Sequence, residues 1–536
     1  MPPGDAGTLE EAVRWVREGA IPLTTSDPGQ GFDDLRRLAP SIGPARIVAM
    51  GEATHGTREF FRLKHRVFEY LVEEHGFRLF GLEASYAGCL PLDYYIQTGE
   101  GDLRALIKGQ GFWTWDTEEV LELVEWMRVY NSRRDAPEDR LHLYGFDTQD
   151  AATPLGLALG ALRSFEAEEA ERLGRELAPA TASRYPGVLG DGSLEAFEAV
   201  VRAIDELQER LAKHQEALEK TRFGYARLRL AAEAGRYAVR ASRPTEEEPQ
   251  GGALTNVRDE TMAEVVRWIL EHHGEGSRIM LWAHDGHVTK YRGDPAKRRP
   301  MLGSFLEDRF GDDYLPVGFS FAEGEFQALY WPKSGEDWAR RVLGVYRIER
   351  SIPGSIDDLL SRVGAPLFVL DLRAGGDGEV PAWLHQPRKH RSIGGLFDQD
   401  DIDGLRFVDE IVLAEHFELM AFVHTTSRAV PLSPPPTFVL GAWTEDSGSA
   451  PGGARVTGVA GDSIAERAGL RAGDVIVELA GSPIASAHDF SVALSQLNRP
   501  GSVEVRILRQ GDGGEREAQT LEVGVPAWVA EDSPRL

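Results

Sequence analysis

Short, mostly apolar runs alternate with amphipathic stretches through the first two-thirds of the chain. The clearest runs are Arg46–Glu52 (RIVAMGE), Arg78–Glu83 (RLFGLE), Leu141–Asp147 (LHLYGFD) and Arg278–His284 (RIMLWAH), followed by Tyr314–Phe321 and Pro366–Leu372. Their length and composition predict strands. Between them, Arg58–His75 and Thr117–Asn131 have helical patterns, with Asp116 or Thr117 placed to cap the second. Strands alternating with helices predict an α/β fold: a mostly parallel sheet flanked by helices.

From about Thr153 to Arg243 the strand signal stops. Leu194–Ala241 is rich in Ala, Leu, Glu and Arg, with Phe197, Val200, Val201, Ile204, Leu207 and Leu211 at helical spacing. This predicts a helical insertion over about residues 153–250, either a cap over an active site or a bundle that thickens the domain. Thr245–Gly252 (TEEEPQGG) reads as an exposed loop closing it. A Pro-rich stretch, Val430–Pro436 (VPLSPPP), implies an extended, semi-rigid spacer. The expected organisation is therefore a first domain over 1–430, a linker over 431–436, a small mainly-β domain over 437–525 and a tail over 526–536.

Composition narrows the function. At 536 residues the chain exceeds one ordinary core. Asp and Glu total 86 against 59 Lys and Arg, a formal net charge of -27. Such a surface repels phosphate backbones and anionic lipid, so neither nucleic acid nor a membrane surface is an expected partner. One cysteine, Cys89, allows no intrachain disulfide and no thiolate-rich metal site. The segment Met1–Arg17 has acidic residues early and no apolar core like that of a signal peptide, and no apolar run approaches a bilayer-spanning length, so a cytoplasmic location is expected.

The chemistry concentrates at strand ends. Gly51-Glu52-Ala53-Thr54-His55-Gly56 overlaps the end of one predicted strand and precedes a helix opened by Arg58 and Glu59. In open parallel sheets that edge is where ligand crevices form. Glu83 ends the next strand, where a buried carboxylate needs a partner. Trp282-Ala283-His284-Asp285-Gly286-His287 ends a third, with two histidines and an aspartate suited to proton transfer, oxyanion binding or metal ligation. No G-x-S-x-G elbow, H-E-x-x-H helix, P-loop or G-x-G-x-x-G fingerprint is present. That leaves a hydrolase whose histidine base, held by carboxylates, activates water directly. The aromatic segment Gly111-Phe112-Trp113-Thr114-Trp115 reads as core with exposed edges, or as the wall of an apolar pocket.

The block GEATHGTREFFRLKHRVFEYLVEEHGFRLFGLEAS resembles the opening of the erythromycin esterases. In order follow WDTEEVLELVEWMRVYN, LYGFDTQD, RDETMAEVVRWIL, LWAHDGHV and VGFSFAEGEF, so the likeness runs from about residue 40 to about 425. The resemblance implies hydrolysis of carboxylic esters, macrolide lactones and thus antibiotic resistance among them, by a histidine-activated water without a cofactor. It implies His55 as base, Glu52 and Glu83 as its carboxylates, and His284 and His287 in the same pocket. Arg58 and Arg258 would polarise a carbonyl or bind a carboxylate. Asp285 stands where the family pattern leads us to expect asparagine; it is expected beside the substrate, where it raises a histidine pKa or favours a metal, or else faces solvent.

Residues Arg455–Arg509 contain GVAGDSIAERAGLRAGDVIVELAGSPIASAHDFSVALSQL, with Ser486–Leu497 an amphipathic helix. The block Ala468–Ile476 resembles that of a PDZ domain, which implies capture of a peptide C-terminus at a sheet edge. The corresponding carboxylate loop is Val439-Leu440-Gly441-Ala442. Docking on the first domain is the alternative role for this module. Two further readings stand beside the ester hydrolase. One is a metal-dependent hydrolase using Glu52, His55, Glu83, His284 and His287. The other is a peptide-binding protein with a degenerate esterase-like domain.

Overall fold

The computed structural model describes residues 5–182, 189, 192–243, 254–292, 300–331, 342–373, 381–398, 407–432, 439–447, 452–461, 463–497, 499–511 and 516–526. The chain divides into two compact units, one of residues 1–326, 346–395 and 401–430, the other of residues 327–345, 396–400 and 431–536.

The first unit is built on a mixed, mostly parallel sheet. Its main strands are β1 (Ala20–Pro22), β2 (Ile47–Met50), β3 (Leu79–Ser85), β4 (His142–Asp147), β5 (Ile279–Trp282), β6 (Tyr314–Tyr330, in this unit as far as Phe326), β7 (Leu367–Asp371) and β8 (Leu419–Thr426). Across the sheet they lie in the order β1-β7-β8-β6-β2-β5-β3-β4. From β8 to β4 every pairing is parallel; β7 runs antiparallel to both β8 and β1. Every residue of β2, β3, β5 and β7 is buried, which requires helices or loops on both faces. The six predicted strands are all present. β8, whose run LMAFVHTT was not among them, takes a central place between β6 and β7.

Two helices follow the predicted patterns closely. Helix α1 (Arg58–His75) buries Phe60, Phe61, Lys64, Val67, Phe68 and Leu71 along one stripe and ends at Gly76, whose φ of 72° suits glycine. Helix α2 (Glu118–Asn131) is capped by Thr117, whose Oγ1 accepts from the Val120 N–H at 3.4 Å. Residues 152–240 hold only helices among those described. The helically patterned stretch Leu194–Ala241 forms three helices, Leu194–Lys213, Gln215–Glu219 and Gly224–Arg240, the last entered through Gly224 at φ 73°. Arg227 ties these helices to the sheet edge, donating to Asp93 at 2.7 Å and to the Tyr144 hydroxyl at 3.1 Å. The predicted loop Thr245–Gly252 lies outside the described residues, as do residues 433–438 of the Pro-rich stretch and its surroundings. No helix among the described residues is long and apolar enough to cross a membrane.

The second unit holds an antiparallel sheet in the order Ala442–Asp446, Ala454–Val459, Val475–Leu479, Gly501–Gln510, Arg516–Val525, with Ser482–Pro483 pairing beside the third strand. Helix Ala487–Ser495 is capped by Ser486 and packs on the first three strands. Leu440, Val456, Ile476, Phe490, Val505 and Val523 are part of its core.

Candidate active site

The site forms at the C-terminal ends of β2, β3, β4 and β5. β2 ends at Met50, and the chain then passes Asp285 so closely that a Cβ at Gly51 would lie 2.0 Å from Asp285 Oδ1. The next residue, Glu52, is fully buried. Its Oε1 accepts from His55 Nδ1 at 2.7 Å, and its Oε2 accepts from Lys64 Nζ at 2.5 Å and Trp282 Nε1 at 2.7 Å. Three donors offset the cost of burying the carboxylate. Burial holds the Lys64 ammonium down to about 8 against the pull of Glu52, and the same ammonium lies 4.6 Å from the Trp282 ring centre.

In a neutral His55 ring, donation from Nδ1 to Glu52 selects the tautomer whose lone pair is on Nε2. Nε2 has no hydrogen-bond partner among the described residues, and the His55 side chain keeps 15% of its surface exposed. Around it stand the His284 and Trp115 rings, their centres 4.9 and 6.4 Å from that of His55. Gly395 and Trp113 close the same side: a Cβ at Gly395 would lie 3.9 Å from His55 Cδ2 and 3.8 Å from Trp113 Cζ2. Of the predicted aromatic segment, Trp115 is thus core and Trp113 a partly exposed wall.

Beside this pair runs a chain of alternating charges. Asp147, ending β4, takes a bidentate hold of Arg258 at 3.0 and 2.8 Å. Arg258 also donates to Glu83 Oε1 at 2.8 Å. His287 lies between two carboxylates, with Nδ1 2.6 Å from Asp259 and Nε2 3.2 Å from Glu83. Burial and Arg258, whose Nη1 lies 3.1 Å from Nε2, oppose charge on His287, yet Asp259 and Glu83 outweigh them and push its pKa up to about 10. Burial would raise Glu83, but His287, His55 and Arg258 hold it well below the usual carboxylate range. Glu83 Oε2 accepts from the His284 backbone N–H at 2.8 Å, which joins the ends of β3 and β5.

His284 differs from its neighbours. Burial, reinforced by His55, holds it well below the ordinary histidine value, so it is neutral. Its Nε2–H donates to the Ile393 carbonyl at 3.1 Å and its Nδ1 accepts from the Gly286 N–H at 3.1 Å. Ile393 belongs to a segment that also holds the His55 loop, donating its N–H to the Ala53 carbonyl at 2.8 Å.

Six of the eight residues expected at the site, Glu52, His55, Glu83, Arg258, His284 and His287, therefore form one cluster. Two do not join it. Arg58 is 43% exposed and its Nε pairs with Glu119 at 3.4 Å. Asp285 does not face solvent: it is buried, and both carboxylate oxygens accept from the Phe319 N–H, at 3.1 and 3.2 Å. Burial pushes its pKa well above the usual range, and it forms the floor under Gly51. Lys64, Asp147 and Asp259 were not singled out from the sequence, and Trp282 was named only as part of its segment. A lysine within the buried stripe of α1, and an aspartate ending the apolar run LHLYGFD, were the signals available for two of them.

The donor atoms a metal would need are largely engaged. Both Glu52 oxygens, both His284 nitrogens and both His287 nitrogens already have protein partners. Among the described residues no group of three or more His, Cys, Asp or Glu side chains is arranged to hold a metal ion.

In the second unit, the Leu440 carbonyl accepts from the Ala465 N–H and the Gly441 carbonyl from the Ala460 N–H, both at 2.8 Å. Gly441 has φ 84°, and a Cβ there would lie 2.3 Å from Ser463 Cβ. Ala442 opens the strand at the edge of the sheet, beside helix Ala487–Ser495.

Comparison with known proteins adds a family to this geometry. A family model described as erythromycin esterase matches residues 72–426, and one described as a PDZ domain matches residues 455–509. Glu83, Arg258, His284 and His287 fall inside the first match, whereas Glu52 and His55 precede it. The chain is 23% identical over 422 residues to YbfO of Bacillus subtilis, which bears the name of a hydrolase, covering 74% of this chain and 90% of that one. It is 24% identical over 372 residues to erythromycin esterase type II of Escherichia coli, covering 65% and 86%. A Bacillus cereus crystal structure shares the fold at a TM-score of 0.65 and 23% identity, covering 79% of this chain and 99% of that one.

Proposed function

Since this chain belongs to the erythromycin esterase family and carries a C-terminal PDZ domain, we propose that it hydrolyses carboxylic esters, macrolide lactones among them, with water activated by His55. The observation that carries this reading is the Glu52–His55 pair: a histidine oriented through Nδ1 by a buried carboxylate, with Nε2 unpartnered among the described residues and partly exposed. Water bound at Nε2 gives up its proton there as its oxygen bonds to the ester carbonyl carbon. Glu52 stabilises the imidazolium that forms. The tetrahedral intermediate then breaks its bond to the leaving oxygen, which takes the proton back from Nε2, leaving an acid and an alcohol. In this reading Glu83 and His284 complete the catalytic cluster, and Arg258 and His287 supply cationic character near the carbonyl.

The test is turnover of a panel of macrolides and simpler esters by wild type and by His55→Ala, each with and without a chelator. Loss of about 10²-fold or more in the variant, with no chelator effect, supports the reading. Equal activity of the two proteins removes His55 from the mechanism. Activity that chelation abolishes and added metal restores favours metal-assisted hydrolysis on the same residues. An inactive wild type sets the esterase reading aside.

A second activity is supported by the PDZ domain: binding of a peptide C-terminus by the loop Val439–Ala442, with the peptide adding to the edge strand Ala442–Asp446.

A further inference from the structure

The loop that carries His55 is closed by a segment nearly four hundred residues later in the chain. Ser427–Val430 are the last residues of the first unit's long path, immediately before Pro431. The Ala429 N–H donates to the Gly56 carbonyl at 2.9 Å, and the Arg58 N–H donates to the Ser427 carbonyl at 2.9 Å, on either side of an antiparallel bridge between Thr57 and Arg428.

The segment also serves the start of two helices. The first N–H groups of a helix lack intrahelical partners, and the N-cap of α1, Thr57, makes no side-chain cap bond. The Ser427 carbonyl accepts from Arg58, the first residue of α1, and the Val430 carbonyl accepts from Glu118, the first residue of α2, at 2.8 Å. In return, acidic side chains from the two first turns take the segment's own donors. Glu59 accepts from the Ser427 N–H at 2.7 Å and from its hydroxyl at 2.6 Å. Glu119 accepts from the Val430 N–H at 3.1 Å. A carboxylate in the first turn is also favoured by the helix dipole. Three backbone bonds and two carboxylates thus lock a distant strap across the exit of the His55 loop.

We propose that the strap Ser427–Val430 positions His55, with Glu59 and Ser427 as the positioning residues. The proposal rests on His55 as the base. Neither residue touches the imidazole; they act by fixing the backbone of residues 54–58, from which it projects. A base displaced by a fraction of an ångström loses its near-attack geometry while leaving substrate contacts in place.

The test compares wild type, Glu59→Ala, Ser427→Ala and Ser427→Thr in the full chain by hydrogen–deuterium exchange over residues 53–60 and by ester turnover. Glu59→Ala and Ser427→Ala are expected to raise exchange in that segment about tenfold and to lower kcat by about tenfold with KM within about twofold. Ser427→Thr keeps the hydroxyl and is expected to restore both. Wild-type exchange over 53–60 in both alanine variants overturns the proposal, as does faster exchange with unchanged kcat, or a loss that falls on KM. If no ester is turned over by wild type, the reading of His55 as base fails by itself, and exchange alone decides whether the strap holds the loop.

Discussion

His287 is held between Asp259 and Glu83, and this sets a pH signature. Its pKa is raised from an ordinary 6.5 to about 10 in the folded protein. A histidine raised in this way contributes stability that is fully present below pH 6.5 and is lost as pH rises through about 10. The stability difference between wild type and His287→Gln is therefore expected to be largest at pH 6 and to shrink steadily toward pH 10. Urea unfolding at a series of pH values measures it; a difference that does not change with pH would falsify the imidazolium. His55 meets a single carboxylate, at Nδ1, and its other nitrogen has no hydrogen-bond partner among the described residues.

At the scale of elements, the site depends on how tightly strand ends are drawn together. Gly51 separates β2 from the His55 loop, and a Cβ there would meet Asp285 Oδ1 at 2.0 Å and Val288 Cγ2 at 3.0 Å. Gly51→Ala is expected to destabilise the protein by about 1–3 kcal/mol, the cost typical of overpacking, because the turn Asp285–Val288 must shift. The same shift moves His284 and His287, so turnover is expected to fall with stability. Denaturant titration and ester assay of the variant check both. A stable, inactive variant would place the effect wholly in the site, whereas a stable, active one would mean that the turn gives way freely.

On the scale of the whole molecule, a hydrolase family member carries a PDZ domain whose strand Ala442–Asp446 lies at a sheet edge. If the loop Val439–Ala442 receives a terminal carboxylate, a fluorescent peptide with a free C-terminus is expected to bind at least about tenfold more tightly than the same peptide amidated, since an ionised acceptor strengthens hydrogen bonds from backbone N–H groups. Fluorescence polarisation across a C-terminal peptide library measures the ratio. Equal binding of both forms overturns the loop assignment and leaves the edge strand as the recognition surface.

The sequence by itself determined the class of fold, because strand and helix periodicities are local and the apolar runs RIVAMGE, RLFGLE, LHLYGFD and RIMLWAH are long enough to read. It also marked the strand ends where ionisable side chains gather, since glutamate and histidine after an apolar run stand out without any neighbour being known. Tertiary structure alone decided the partners. That Lys64 and Trp282 share a carboxylate with His55, that Asp147 grips Arg258, and that Asp285 turns inward to the Phe319 N–H all follow from the crossing of distant segments. The central place of β8 and the strap at Ser427–Val430 are likewise non-local. Hydrogen bonds between separate elements leave no period in the chain, so only the folded backbone brings them together.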